Sequence, residues 1–251
     1  MIDQDAPQAA AAAAGPDARA MFLRGAGHAL SGPAISVAAS LIGVGGLARD
    51  AGQSIGVAVL ATLLVWASPA QIMYFTGVAS GAAPLAVAFA ILLVGFRFLP
   101  MSVSLLPLLR APGTRATTLL AASHLVALTV WVELMWRLPR VALEARQPYY
   151  FGFALSCITL ATGFTAAGYW LVALLPASLA AALLFLSPAY FIFALTRGAR
   201  GTLDWAALAL GLALMPLATF AFGGNFDLMA VGLVGGGLAY GLHRLRRGAM
   251  P

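Results

Sequence analysis

The chain has no lysine, a single cysteine (Cys157), and charged residues at only 9% of its 251 positions. Each shortage excludes something. One cysteine rules out intrachain disulfides and thiolate metal cages, leaving Cys157 as a small apolar filler inside a helix. A soluble domain carries roughly a quarter charged residues; with so few here, the polar residues run out before a water-facing surface is covered. All 14 basic residues are arginines and the net charge is +6, yet they lie singly or in small groups between apolar runs. No basic face or RNA-reading aromatic motif is present, so nucleic acid is not an expected partner. No GxxxxGK[ST], HExxH or paired-Asp motif occurs in a span, and neither a metal nor another cofactor is expected.

What is abundant is apolar: 62% of the residues are hydrophobic. The fold class this implies is an all-α polytopic membrane protein in contact with a lipid bilayer. A helix needs about 20 apolar residues to cross the hydrocarbon, and eight stretches qualify: 27–47, 53–78, 83–108, 117–136, 150–171, 174–196, 203–221 and 227–243. The boundary at Leu171–Pro176 carries no charge, so seven or nine crossings stay open. With eight crossings, one side holds Arg49, Arg110 and Arg115 and the other holds ten arginines, among them Arg137, Arg140, Arg197 and Arg244. The excess puts both termini in the cytoplasm. Absent lysine and abundant alanine suggest a GC-rich bacterium, hence its inner membrane. Residues 1–20 have acids before an alanine run and no basic start, unlike a secretory signal; they read as a disordered cytoplasmic tail, and 248–251 as a second tail.

An internal duplication is visible. ATLLVWASPAQIMYF and AAALLFLSPAYFIFA align at an offset of 119 around a shared Ser-Pro-Ala, and ALSGPAISVAASLIG weakly resembles ALSCITLATGFTAAG. This divides the chain into membrane repeats at 21–146 and 147–247, parallel if each has four crossings and inverted if the count is odd. Secondary transporters use either arrangement and place substrate between discontinuous helices near the midplane.

Pro69, Pro100 and Pro188 interrupt apolar spans. Proline removes a backbone donor and frees a carbonyl one turn earlier, and irregular backbone survives in lipid only when buried in protein or facing a watery cavity. Ser68, Gln71, Ser187 and Tyr190 stand beside these breaks, as does Gly95 beside Arg97. An arginine near a helix centre costs about 2.5–3.5 kcal/mol on insertion scales. Two partners can repay Arg97: an anionic group on a substrate, or a structural pair with Glu133 or backbone carbonyls. His124, near the centre of the fourth span, is either a neutral helix-interface residue or a proton relay. Glu133 is the other proton-coupling candidate, though flanking Trp131 and Trp136 suggest an interfacial position. The last span has GxxxG spacings at Gly232, Gly236, Gly237 and Gly241, which permit close helix approach to an internal partner, a second copy or another subunit.

In order along the chain stand Phe22-Leu23-Arg24-Gly25, Ala48-Arg49-Asp50-Ala51-Gly52, Ser68-Pro69-Ala70-Gln71-Ile72, Gly95-Phe96-Arg97-Phe98, the segment from Met101 to Leu109, and Ser187-Pro188-Ala189-Tyr190-Phe191. Over roughly 21–245 this order resembles the AzlC family, large subunits of bacterial branched-chain amino-acid exporters. The resemblance implies export of small neutral amino acids by secondary, proton- or ion-driven transport, with a small AzlD-like membrane subunit as partner and no enzymatic activity. The sequence departs from the family where Gly95 replaces an asparagine, Phe98 a histidine or tyrosine, and Ser123-His124-Leu125 a Thr-Asp-Glu segment; these departures bear on coupling ion and substrate. A non-transporting scaffold subunit and an intramembrane enzyme are the competing classes.

Overall fold

The computed structural model describes residues 17–174 except 31, residues 201–222 and 227–248, and the isolated positions 176, 178, 179, 182, 183, 185, 189, 192, 196 and 199. Among these residues the chain is all helix, without a strand. Helix α1 is Ala18–Ala29, α2 Gly32–Asp50, α3 Ile55–Leu64, α4 Ser68–Ala79, α5 Pro84–Gly95 and α6 Phe98–Leu105, which runs on as a 3-10 turn to Leu109. Then follow α7 Ala116–His124, α8 Leu128–Arg137, α9 Arg146–Leu171, α10 Thr202–Phe222 and α11 Asp227–Gly248. Helix α1 starts inside the stretch read as an N-terminal tail, because the Asp17 carboxylate accepts the Arg19 amide at 3.0 Å and caps it.

Three helical stretches are long and apolar enough to cross a membrane, Pro84–Leu109 (which bends at Phe96–Arg97), Leu143–Leu171 and Thr202–Ala221. Two further expected spans fail that length test because each is split into half-helices of 9 to 12 residues: α3 with α4, and α7 with α8. The α3–α4 break falls at Val65–Ala67, ahead of Pro69. Pro69 therefore starts a helix instead of kinking one, since the first turn has no intrahelical use for its missing N–H. Pro100 sits likewise in the first turn of α6, so the bend it was expected to make falls earlier, at Phe96–Arg97. The α7–α8 break at Leu125–Ala127 has no proline or glycine and was not anticipated. Chain reversals after α2 and α4 use Gly52 (φ 71°) and Gly81 (φ 68°), left-handed positions that suit glycine.

The core is built on α9. At four glycines a Cβ would overlap a backbone carbonyl oxygen of the facing helix: Gly25 on Tyr149, Gly152 on Phe22, Gly45 on Thr165 and Gly168 on Ile42. The contacts are reciprocal. Each glycine faces the carbonyl one turn before the partner's glycine, and contact positions rise in step along both helices, so α1–α2 and α9 run parallel. Tyr149, Tyr150 and Phe153 are fully buried at this seam with Leu105, Val130 and Leu134. Between the parallel elements the chain forms the three interrupted segments α3–α4, α5–α6 and α7–α8.

Helices α10 and α11 pack on each other through Gly235, whose Cβ would meet Leu214 and Gly211. At Gly232, Gly236, Gly237 and Gly241 a Cβ would meet nothing within 4 Å, so of the partners left open for them an internal one is not found among the described residues. The outer face of α10 is apolar, with Leu212, Leu217 and, at 94% exposure, Phe220. A surface of that kind suits lipid or a membrane partner and not water.

Candidate functional site

The interruptions of α3–α4, α5–α6 and α7–α8 meet at one place. A cavity of about 40 Å³ lies there, lined by Trp66, Ala67 and Ser68, by Arg97 and Phe98, and by Ala127, Leu128 and Thr129, and closed by Ala34, Val37, Ala38 and Leu41 of α2 and Cys157 and Ala161 of α9. Space of this size holds a few waters, or a carboxylate with its first carbon.

The two sides of the breaks are treated differently. On the carbonyl side, side chains engage three carbonyls at or next to the breaks. His124 Nε2 bonds the Leu63 carbonyl at 3.0 Å, Gln71 Nε2 donates to the Val65 carbonyl at 2.7 Å, and the Tyr150 hydroxyl donates to the Ala122 carbonyl at 2.7 Å. On the amide side there is no such arrangement. Ala67, Arg97 and Ala127, the residues that cap α4, α6 and α8, supply no side-chain hydrogen bond. The first N–H groups of a helix have no intrahelical partner and its N-terminus is a positive pole. Two positive poles, those of α4 and α8, therefore lie at the cavity together with a guanidinium; at α6 the backbone stays helical through Phe96–Arg97 and the Leu99 amide donates to the Phe96 carbonyl.

Arg97 has no ion-pair partner among the described residues, and its buried Nε makes no hydrogen bond. Its guanidinium lies 5.0 Å from the Phe98 ring centroid, a cation–π contact. Glu133, the acid weighed as its structural partner, is instead paired with Arg137 at 3.0 Å, one turn along α8. Ser68 and Thr129 add hydroxyls to the lining. Thr129 is 6% exposed, and its hydroxyl makes no hydrogen bond among the described residues.

The expected site residues divide accordingly. Arg97 and Ser68 line the cavity. Gln71 is fully buried just behind it and shapes the break; its Oε1 has no partner. Gly95 ends α5 next to the bend, with open space where a Cβ would stand. His124 is exposed and occupied with the Leu63 carbonyl, and neither it nor Glu133 lines the cavity. Ser187, Pro188 and Tyr190 lie outside the described residues. Sequence reasoning missed Trp66, Thr129 and Cys157 as lining residues. Thr129 and Cys157 become recognisable only once the α7–α8 break and the α9 seam are known. No group of three or more His, Cys, Asp or Glu able to hold a metal occurs among the described residues.

The family model described as AzlC protein matches residues 33–175, more than half of the chain. No curated protein and no solved structure matches it. The chain belongs to the AzlC family, known as a membrane transporter component and not as an enzyme. The matched region contains every residue that lines the cavity.

Proposed function

We propose that this AzlC-family chain is the large subunit of a secondary carrier that exports small carboxylate-bearing solutes, branched-chain amino acids among them, across a bacterial inner membrane. Arg97 binds the carboxylate, with Ser68, Thr129 and the N-terminal ends of α4 and α8 completing the cradle. The observation that carries this reading is an arginine without an ion-pair partner among the described residues, lining a cavity where three broken or bent helical segments meet. Anions bind at helix N-termini through free amides and the helix dipole, and carriers place substrate at such half-helix ends. The apolar wall of Val37, Leu41, Trp66 and Ala161 suits an aliphatic side chain, which needs the cavity to widen as the site opens.

In the same reading, α1–α2 and α9 are equivalent helices of two parallel repeats, which their reciprocal glycine contacts support. Ser187 and Tyr190 supply the second repeat's share of the site around Pro188. Glu133, about 6 Å beyond Thr129 at 1.5 Å per residue, carries the coupling proton, while His124 has its Nε2 committed to backbone. A small AzlD-like subunit covers an apolar outer face.

The test is export from cells loaded with a leucine-containing dipeptide. Arg97→Ala is expected to abolish export while the protein still inserts and runs as a single species on size exclusion, and Arg97→Lys to retain a fraction of it. Wild-type export by the alanine variant would remove the assignment.

A further inference from the structure

Hydrogen bonds at the two ends of α9 fix which parts of the chain share a face of the bilayer. At its start, Arg146 Nη1 donates to the Leu108 carbonyl at 3.1 Å, and Gln147 Nε2 donates to the Leu109 carbonyl at 3.0 Å and to the Thr114 hydroxyl at 2.7 Å. The crossing Pro84–Leu109 therefore ends on the face where the crossing Leu143–Leu171 begins. Near the end of α9, the Tyr169 hydroxyl donates to the Gln53 carbonyl at 2.8 Å, and Arg49 Nη1 donates to the Tyr169 carbonyl at 3.3 Å. The turn between α2 and α3 thus lies on the opposite face, the one from which α5 starts.

The chain must then leave and regain one face between Arg110 and Ala145, and the other face between Gln53 and Ala83. Helices α7 and α8 have 9 and 10 residues, and α3 and α4 have 10 and 12. At 1.5 Å per residue each reaches about half-way through a hydrocarbon core about 30 Å thick. Each pair is an arm going in and an arm coming back, turning at its break. Side-chain packing agrees. Trp131 Nε1 donates to Ser104 Oγ at 2.8 Å, and Ser104 is about 8 Å from the end of its crossing, whereas a single pass from Ala116 would carry Trp131 about 22 Å inward. Phe75 of α4 shares a buried cluster with Ala58 of α3, positions that one straight helix would hold about 25 Å apart. The charges agree as well. Eight single crossings put Arg110 and Arg115 with Arg49. With two turns back, seven of the nine arginines up to Arg146 lie on the face where α9 starts, Arg49 alone lies on the other, and Arg97 stands between. That sharper asymmetry makes the first face cytoplasmic.

We infer that α3–α4 and α7–α8 are re-entrant hairpins entering from opposite faces, and that each is the gate of the Arg97 cavity toward its own face. Hairpin α7–α8 closes the cytoplasmic side and α3–α4 the other. Their turns, Trp66–Ser68 and Ala127–Thr129, meet at mid-depth beside Arg97, half-way along its own crossing. Irregular backbone at that depth is tolerated because it lines a cavity. Ser68 and Thr129 occupy the first turn of the two returning arms. His124 Nε2, at the end of one ingoing arm, bonds the Leu63 carbonyl near the end of the other at 3.0 Å. This contact ties gate to gate, and makes His124 a positioning residue that holds both shut. What the gates admit rests on the carrier reading; the hairpins rest only on the crossings of α5–α6 and α9.

The test labels single added cysteines with a membrane-impermeant maleimide, in spheroplasts of a bacterial host expressing the full-length chain and again after lysis. The unaltered chain, with buried Cys157 alone, gives the background. Asp50→Cys marks the outer face and Ala142→Cys the cytoplasmic face, with or without hairpins. Ala82→Cys is expected to react in intact spheroplasts as Asp50→Cys does, and Pro112→Cys only after lysis, as Ala142→Cys does; all four positions are exposed. Eight single crossings require the reverse at both, and either position on the wrong face overturns the inference. Gating is read from the rate at which N-ethylmaleimide adds to Cys157, which lines the cavity, in the purified chain. His124→Ala should raise that rate about three- to tenfold, the worth of one hydrogen bond, and His124→Gln, which keeps a donor for the Leu63 carbonyl, should raise it less. A rate unmoved by His124→Ala would make the hairpins fixed walls and remove the gates. Neither readout uses a ligand or Arg97, so the hairpins can fail while the export test on Arg97→Ala succeeds, and the reverse.

Discussion

Thr129 and Arg97 differ in what their loss should do, although both line one cavity. Thr129→Val keeps the shape and removes a hydroxyl that bonds nothing in the described protein, so it strands no partner. Ligand affinity should fall about three- to tenfold, the worth of one hydrogen bond, with the melting temperature in detergent unchanged or slightly raised. Tyr150→Phe is the converse case. It removes a fully buried hydroxyl from the Ala122 carbonyl at the end of α7, which should cost about 1–2 kcal/mol of stability, seen as a lower melting temperature. The cavity wall at Leu125–Ala127 rests on that carbonyl, so a secondary loss of affinity is expected. An unchanged melting temperature for Tyr150→Phe would mean the break is held by something else.

Helix α9 is where element-level packing is tightest. Gly168→Ala would drive a methyl into the backbone of Ile42, and Gly45→Ala into that of Thr165, with no flexible side chain able to give way. Overpacking of a well-filled core costs about 1–3 kcal/mol, and a backbone obstruction should lie at or above the top of that range. Both variants should express poorly or lose the folded peak on size exclusion. Gly236→Ala on α11 is the control, because its Cβ would meet nothing within 4 Å and alanine favours helix over glycine by up to about 1 kcal/mol. It should be neutral or stabilising in the isolated chain. A loss of complex formation with that variant, without loss of folding, would place a partner on the outer face of α11.

At the scale of the whole molecule, the arrangement separates a rigid frame from an interrupted one. The α1–α2 and α9 seam is continuous, buried and glycine-locked, whereas the segments between are split at the depth of the cavity. If the proposed carrier works by alternating access, half-helices would tilt about Val65–Ala67, Phe96–Arg97 and Leu125–Ala127 while the seam holds. Cys157 reports on this, since it stands on the frame and faces the breaks. In oriented membrane vesicles its conversion to a mixed disulfide by a membrane-impermeant thiosulfonate, with release of the sulfinate, should proceed from either face, but slowly, and should drop when substrate is present on both sides. Labelling indifferent to substrate would argue that the cavity does not open during transport.

The amino-acid sequence by itself determined the class of solvent, because 9% charge cannot clothe a water-soluble fold of this size. It also marked Arg97 as unusual and located two of the interruptions by their prolines, since the cost of a guanidinium or a missing amide in a helix is local and does not depend on the neighbours. The family, too, was legible in the order of short motifs. Tertiary structure alone decided which polar groups share a site. Glu133 and His124 lie on the same span as Thr129, yet Glu133 goes to Arg137, His124 to the carbonyl of Leu63, and of the three Thr129 lines the cavity with Arg97. A hydrogen bond between residues far apart in the chain leaves no periodicity or composition to read. The α7–α8 break is the clearest case. No residue at Leu125–Ala127 disfavours helix strongly, and the Tyr150 hydroxyl that reaches the Ala122 carbonyl there comes from another helix, which no local pattern announces.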